Sequence, residues 1–189
     1  MKPSLSTHPI GIFDSGIGGL TVAHAVMQRL PNEPLVYFGD TAHMPYGEKS
    51  TAAIQAYSVK ICDVLLKQSC KLILIACHSA SAAAVELVKE YIGKTAHVID
   101  VIEPVIHYLR EHYAGKRIGL IGTRQTINSN IYKKKIDALG MGIELRALAT
   151  PLLAPLIEEG REHKNIIQGI LADYLTDPEL TNIDALVLG

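Results

Sequence analysis

The most constraining feature of the sequence is the stretch Leu72–Ser81, in which an apolar run leads directly into small polar residues. The four bulky apolar residues Leu72–Ile75 predict a short strand that is buried on both faces. The small residues that follow predict a tight turn into the N-terminus of a helix. Cys77 is therefore expected at the carboxyl end of a central strand, which is where open α/β sheets bind their ligands.

The position of Cys77 indicates acid/base chemistry. A helix N-terminus directs free backbone N–H groups and the positive end of the helix dipole toward the site. That field is expected to lower the pKa of the Cys77 thiol from about 8.5 toward neutrality, so that it can accept a proton and return it. The alternative is a small buried hydrophobic side chain, as in most free cysteines. This stretch alone does not separate the two.

A glycine-rich loop follows the first predicted strand. Ile10–Phe13 is the strand and Asp14–Gly19 is the loop, and Asp40 closes the next strand, where an acid that binds a ribose would lie in a nucleotide-binding domain. However, Thr21 replaces the third glycine of that motif, and the Asp14 carboxylate would repel a pyrophosphate. We therefore interpret the glycines as allowing the backbone to approach a small ligand.

The second half of the chain repeats the character of the first. Arg117–Thr123 resembles Ile10–Ser15, and Ala185–Gly189 resembles Leu72–Ala76, at nearly the same offset. This repetition predicts a duplicated domain, and hence an α/β fold of two similar doubly wound parallel-sheet domains. The predicted boundaries are 1–103 for the first domain and 104–189 for the second.

Other segments carry weaker signals. The pattern predicts a helix over Thr126–Leu139, an irregular segment over Pro151–Gly160 because of its two prolines, and a helix over His163–Leu175. Pro45–Gly47, taken alone, is interpreted as a surface turn with a packed tyrosine.

Composition excludes several classes of function. A formal net charge of -1 supplies no broad basic field, so nucleic acid is not an expected partner. The three cysteines, Cys62, Cys70 and Cys77, show neither CxxC spacing nor an even count, which argues against a disulfide framework or a zinc site and fits a reduced cytoplasm. No segment has the pattern of a signal peptide or a membrane span, so no membrane partner is expected.

A set of short motifs, in order along essentially the whole chain, resembles the cofactor-independent aspartate/glutamate racemases. Each motif is weak alone, and together they are specific: Gly11–Thr21, Tyr37–Thr41, Pro45–Gly47, Ala76–Cys77 with Ala80–Ala82, Ile121–Thr123 and Pro155–Glu158. The resemblance implies two α/β domains with the active site between them. It also implies that one cysteine removes the Cα proton while another delivers a proton to the opposite face. The implied activity is interconversion of L- and D-glutamate for peptidoglycan, with no cofactor and no metal.

The resemblance also implies roles for individual residues. Cys77 corresponds to the first acid/base, Asp14 to its carboxylate partner and Glu158 to the carboxylate near the second cysteine. Outside this set, Asp14 would be interpreted as an Asx-turn residue. The implied partner is the small molecule glutamate, and a homodimer stays open. The implied substrate-binding residues are Asp14, Ser15, Tyr46, Gly47, His78, Ser79 and Thr123.

Two departures from the family pattern affect these expectations. The family usually has Asn-Thr after the first cysteine, whereas this chain has His78 and Ser79. Serine can replace the threonine hydroxyl, but an imidazole cannot reproduce the donor and acceptor of an amide, so a changed affinity or substrate preference is expected. The family's second cysteine would follow Gly189. The expectation is therefore a fragment or a truncated gene product that does not itself racemise glutamate.

Two alternatives remain open from the sequence. One is an aspartate-type or hydantoin-type racemase, against which the glutamate-type Pro45–Gly47 segment argues. The other is a catalytically inactive binding module, which the lack of a second cysteine makes plausible.

Overall fold

The computed structural model describes residues 7–160 and 164–189. Strands and helices alternate along almost the whole chain, and the chain divides into two compact units, one ending at Val101 and one beginning at Ile102. In the first unit the elements are β1 (Ile10–Asp14), α1 (Gly19–Arg29), β2 (Leu35–Gly39), a 3-10 turn (Tyr46–Glu48), α2 (Thr51–Lys67), β3 (Leu72–Ile75), α3 (His78–Ile92) and β4 (His97–Asp100). In the second they are α4 (Ile102–His112), β5 (Arg117–Gly122), α5 (Arg124–Asn128), α6 (Ile131–Leu139), β6 (Glu144–Ala149), α7 (Leu153–Glu158), α8 (Lys164–Leu175), a 3-10 turn (Pro178–Leu180) and β7 (Ala185–Leu188).

The first unit is a parallel sheet with helices on both faces. Its strand order is β2-β1-β3-β4, with Ile12 paired to Tyr37 on one side and to Leu74 on the other. Successive side chains of a strand point to opposite faces. Accordingly, Phe13 packs in the core that contains α2 and α3, while Ile12 packs with Ala23 of α1. The prediction of a doubly buried strand at Leu72–Ile75 and of a doubly wound sheet is confirmed.

The strand order places a crevice between two neighbouring strands. From β1 the chain crosses through α1 to β2 at one edge of the sheet, and α2 then carries it back past β1 to β3. The loops that follow β1 and β3 therefore lead to helices on opposite faces of the sheet, and ligands bind at such a reversal in open α/β folds.

The second unit has the same order of corresponding strands. Its sheet is β6-β5-β7, all parallel, with Leu120 of β5 paired to Ala147 and to Val187. Because β5 lies between β6 and β7 as β1 lies between β2 and β3, the expected likeness of the two α/β domains is confirmed at the level of topology.

Local predictions fail at two places in the second unit. The helix predicted over Thr126–Leu139 is interrupted, because Asn130 adopts a left-handed conformation with φ 55°, and α6 starts after it. The segment predicted as irregular contains the helix α7, because Pro155 lies in its first turn, where a backbone N–H has no intrahelical acceptor anyway. The helix predicted from His163 is found as α8 from Lys164, and His163 lies outside the described residues.

The Pro45–Gly47 segment is not a surface turn. Tyr46 is 1% exposed and Gly47 is buried, and Tyr46 belongs to the same core cluster as Cys77. Among the residues that the structure describes, no helix is both long and apolar enough to span a membrane.

Candidate active site

Cys77 lies at the crevice between β1 and β3. It directly follows Ala76 at the carboxyl end of β3 and is the N-cap residue of α3, as predicted. Its S–H group donates to the hydroxyl oxygen of Ser15, which follows β1, over 3.5 Å from Sγ to Oγ. The fold thus joins two residues that are 62 positions apart in the sequence.

The predicted lowering of the Cys77 pKa is wrong. Burial and the nearby charge of Asp14 raise the pKa of this thiol to about 11. The hydroxyl of Ser15 and the N–H of Ala80, whose nitrogen lies 3.4 Å from Sγ, favour the thiolate but do not outweigh the raising effects. The helix N-terminus cannot compensate for the loss of water around a side chain that is 6% exposed, because desolvation penalises the charged form.

Asp14 is both an anchor of the glycine-rich loop and the charge beside Cys77. Its Oδ2 atom accepts hydrogen bonds from the N–H groups of Gly16 at 3.1 Å and Gly19 at 2.9 Å. These two donors satisfy a buried carboxylate that would otherwise be costly. A Cβ atom at Gly19 would lie 2.5 Å from Cβ of Asp14, so any larger residue at the start of α1 would force Asp14 or the backbone to move. Asp14 therefore makes the hydrogen bonds expected of a turn residue, and its charge also acts on the Cys77 thiol.

Two tyrosine hydroxyls donate hydrogen bonds to residues at the carboxyl edge of the first sheet. Tyr37 donates from its hydroxyl to the carbonyl oxygen of Gly16 at 3.3 Å, and burial, Asp14 and Cys77 raise its pKa to about 12. Tyr46 donates to Oδ2 of Asp40 at 2.5 Å. Burial, this hydrogen bond and the charges of Asp40 and Cys77 raise the pKa of Tyr46. Both hydroxyl groups therefore remain protonated donors near neutral pH.

The sequence predicted no role at the site for Tyr37. For Asp40 it offered only the ribose-binding interpretation, which was rejected. The available signal was their position: Tyr37 lies near the carboxyl end of β2 and Asp40 directly follows that strand. Since the carboxyl ends of parallel strands meet at one edge of a sheet, a polar residue there is a candidate for the site.

The two residues that depart from the family pattern lie in the first turn of α3. Ser79 is buried and His78 is partly buried. Burial lowers the pKa of His78, while the charges of Asp100 and Asp14 act in the opposite direction. His78 is thus an uncharged imidazole at neutral pH.

Thr123 and Glu158 belong to the second unit. Thr123 is the N-cap of α5, and its hydroxyl accepts from the N–H of Thr126 at 3.2 Å. Glu158 is the last residue of α7. Their roles toward the substrate stay predictions.

The other two cysteines are in the core of the first unit. Cys62 on α2 and Cys70 before β3 are buried, and burial raises the pKa of both thiols, to about 12 for Cys62. No group of three or more His, Cys, Asp or Glu residues within 7–160 and 164–189 could hold a metal ion.

Sequence comparisons identify similar proteins over the whole chain. Residues 20–189 match the family model described as Asp/Glu/Hydantoin racemase. A glutamate racemase of Syntrophus aciditrophicus is 42% identical over 188 residues, which cover 100% of this chain and 69% of that protein. A glutamate racemase of Neisseria meningitidis is 41% identical over 181 residues, which cover 96% of this chain and 67% of that protein.

Solved structures give the same result. The crystal structure of glutamate racemase from Francisella tularensis in complex with D-glutamate is similar with a TM-score of 0.87 and 39% identity, covering 97% of this chain and 68% of that one. A glutamate racemase isoform from Bacillus anthracis is similar with a TM-score of 0.90 and 32% identity, again covering 97% and 68% of the two chains.

Proposed function

The chain belongs to the Asp/Glu/Hydantoin racemase family, and from this membership we propose that it acts on glutamate and that Cys77 is the acid/base for one face of Cα. The observation that carries the proposal is the Cys77–Ser15 contact beside Asp14, at the crevice between β1 and β3. The choice of glutamate is supported by the similar racemases of Syntrophus and Neisseria, both described as glutamate racemases.

The high pKa of Cys77 has two consequences for the proposed reaction. It makes the thiolate a strong base toward the very weakly acidic Cα–H, but it leaves only a small fraction of the thiol ionised near neutral pH before the substrate binds. In the proposed step the thiolate takes the Cα proton and becomes a thiol, while the electron pair stays on Cα. In the reverse step the thiol returns the proton and the carbanion is quenched.

Substrate binding would make the base available. The two causes of the raised pKa are burial and the negative charge of Asp14. The ammonium group of glutamate is a cation that would offset the charge of Asp14 once bound, and an adjacent cation lowers the pKa of a thiol. The thiolate would thus form when the substrate is present, inside a site from which water is excluded.

Inversion needs a second proton donor on the opposite face of Cα. Cys62 and Cys70 are unsuited to it, because both are buried in the core that contains α2. In the proposal, Glu158 and Thr123 act on the substrate, and the boundary between the two α/β domains along the chain follows Glu103. The remaining parts of the proposal are a cytoplasmic location, supply of D-glutamate for peptidoglycan and assembly as a homodimer.

Titration calorimetry with both enantiomers of glutamate and of aspartate, and with hydantoin, tests the substrate. We expect binding of glutamate and weaker binding of the other compounds. Ser79→Ala should weaken glutamate binding about tenfold or more, the usual effect of losing one hydrogen bond to a charged ligand. Ser58→Ala, which changes a buried serine of α2 instead, is the matched control and should not alter affinity. Tighter binding of aspartate or hydantoin would contradict the proposal.

A further inference from the structure

Asp40 connects the glycine-rich loop to the turn that contains Tyr46. It follows β2, and its backbone N–H donates to the carbonyl oxygen of Asp14 at 2.9 Å. Asp40 is therefore held at the carboxyl edge of the sheet, beside Asp14, whose charge acts on Cys77.

Both oxygens of the Asp40 carboxylate are already engaged by the protein. The hydroxyl of Tyr46 donates to Oδ2 at 2.5 Å, and Nδ1 of His43 lies 2.8 Å from Oδ1. A carboxylate that is 7% exposed needs such partners, because a buried charge without hydrogen bonds is strongly disfavoured. These contacts argue against Asp40 as a direct ligand of a nucleotide or of a substrate.

His43 and Tyr46, which are hydrogen-bonded to the carboxylate, form an aromatic cluster with Tyr57. The half-exposed ring of His43 stacks on Tyr57 of α2, with 4.1 Å between ring centroids and an interplanar angle of 21°. The ring of Tyr46 lies 5.8 Å from that of Tyr57. Asp40 is thus hydrogen-bonded to Tyr46, which is buried in the core, and to His43, which is half exposed to solvent.

The 3-10 turn held by this cluster packs against α3. Tyr46 shares a core cluster with Cys77 and Ala80, and the charge of Cys77 contributes to raising the pKa of Tyr46. A displacement of Tyr46 would therefore open the surroundings of Cys77. It would leave Cys62 and Cys70 enclosed, provided that the core of the unit stays folded.

We propose that Asp40 is a positioning residue, which acts through its hydrogen bond with Tyr46 to hold the Tyr46–Glu48 turn beside Cys77. This inference rests on the proposed function in one respect, because the turn would form one wall of the proposed glutamate-binding site. Asp40 itself touches neither the substrate nor the reacting atoms. Its effect is to keep the Cys77 thiol enclosed and the Tyr46 hydroxyl fixed before the substrate binds.

Alkylation with iodoacetamide followed by peptide mapping tests this inference on the ligand-free chain. Asp40→Ala removes the acceptor of a buried hydroxyl, so the turn should open more often and the Cys77 labelling rate should rise about tenfold. Asp40→Asn keeps one acceptor for the hydroxyl and should restore most of the protection. Combining Asp40→Ala with Tyr46→Phe should add little, since both changes remove the same bond.

The chain contains a matched control for this test. Tyr91 of α3 donates to Asp63 of α2 at 2.5 Å on the exposed surface, so Asp63→Ala breaks a bond of the same type elsewhere in the unit. We expect it to leave Cys77 labelling unchanged. Equal labelling of Cys77 in Asp40→Ala and Asp63→Ala would overturn the inference. Labelling of all three cysteines together in Asp40→Ala would overturn it as well, because it would assign Asp40 a role in general stability.

Added glutamate separates this inference from the proposed function. Protection of Cys77 by glutamate in the unsubstituted chain would support both. A clear effect of Asp40→Ala without any protection by glutamate would support the positioning role of Asp40 and would contradict the assigned substrate alone.

Discussion

The thiol of Cys77 donates to the hydroxyl of Ser15 across the crevice between two neighbouring parallel strands, with 3.5 Å between Sγ and Oγ. The contact brings the N-terminus of α3 to the glycine-rich loop that opens α1. Asp14, the last residue of β1, contributes to the raised pKa of the thiol. The buried position of Cys77 and the charge of Asp14 both affect how readily the thiol reacts.

Alkylation of Cys77 should depend steeply on pH. Because burial and Asp14 raise the pKa of the thiol to about 11, its rate of alkylation in the ligand-free chain should still be rising at pH 10. Asp14→Asn keeps an acceptor for the N–H groups of Gly16 and Gly19 but removes the charge. It should lower the pKa and increase labelling at pH 8 up to about tenfold per unit of pKa.

Asp137→Asn, on the exposed surface of α6, is the control for that experiment and should behave as the unsubstituted chain does. A rate that levels off below pH 9, or no change in Asp14→Asn, would show that Asp14 does not act on the thiol. Cys77 should also react before Cys62 and Cys70, because it is the most exposed of the three residues, at 6% against 0% and 3%.

The stability of the chain should fall in mild acid because of His78. Burial lowers the pKa of His78 in the folded state, so below about pH 6.5 the unfolded chain binds a proton that the folded chain does not. The free energy of unfolding should therefore decrease as the pH falls through this range, by at most about 1.4 kcal/mol per pH unit from this residue. Above about pH 7.5 the residue should contribute no pH dependence.

Urea unfolding at pH 5.5 and 7.5 measures this effect. His78→Asn should reduce the loss of stability between the two values, whereas His24→Asn, on the exposed side of α1, should leave it as it is. An unchanged loss in His78→Asn would contradict the lowered pKa.

The close approach of α1 to Asp14 should make Gly19 intolerant of any side chain. A Cβ atom there would lie 2.5 Å from Cβ of Asp14, and we expect Gly19→Ala to lower the free energy of unfolding by about 1–3 kcal/mol. Gly169→Ala in α8, where the added Cβ meets no atom within 4 Å, should instead stabilise the chain by about 0.5–1 kcal/mol. Chemical denaturation of both variants measures the difference. A Gly19→Ala variant as stable as Gly169→Ala would show that the loop adapts.

The sequence predicted best those features that depend on neighbouring residues. The apolar run of β3 followed by small residues predicted that Cys77 lies at the N-terminus of α3, and the spacing of two similar strand patterns indicated the duplication. The interruption at Asn130 was missed because an isolated left-handed asparagine has no clear periodic signal. The helix around Pro155 was missed because proline is compatible with a first helical turn.

Features that depend on distant residues were harder to predict. The pKa of Cys77 was predicted in the wrong direction, since the enclosing core and the placement of Asp14 depend on how β1 packs against β3. The burial of Tyr46 similarly depends on the core cluster that it shares with the distant residues Cys77 and Ala80, which its local sequence does not indicate. The roles of Thr123 and Glu158 stay predictions that rest on the family resemblance.

The most direct test of the account is the exchange of the Cα proton of each glutamate enantiomer in D2O, followed by NMR together with optical rotation. If Cys77 is the acid/base for one face, the chain should introduce deuterium into one enantiomer faster than into the other, and Cys77→Ala should slow that exchange by at least about 100-fold. The Cys62→Ala variant is the control and should retain the exchange. Exchange that persists in Cys77→Ala, or no exchange above the buffer rate in the unsubstituted chain, would contradict the account.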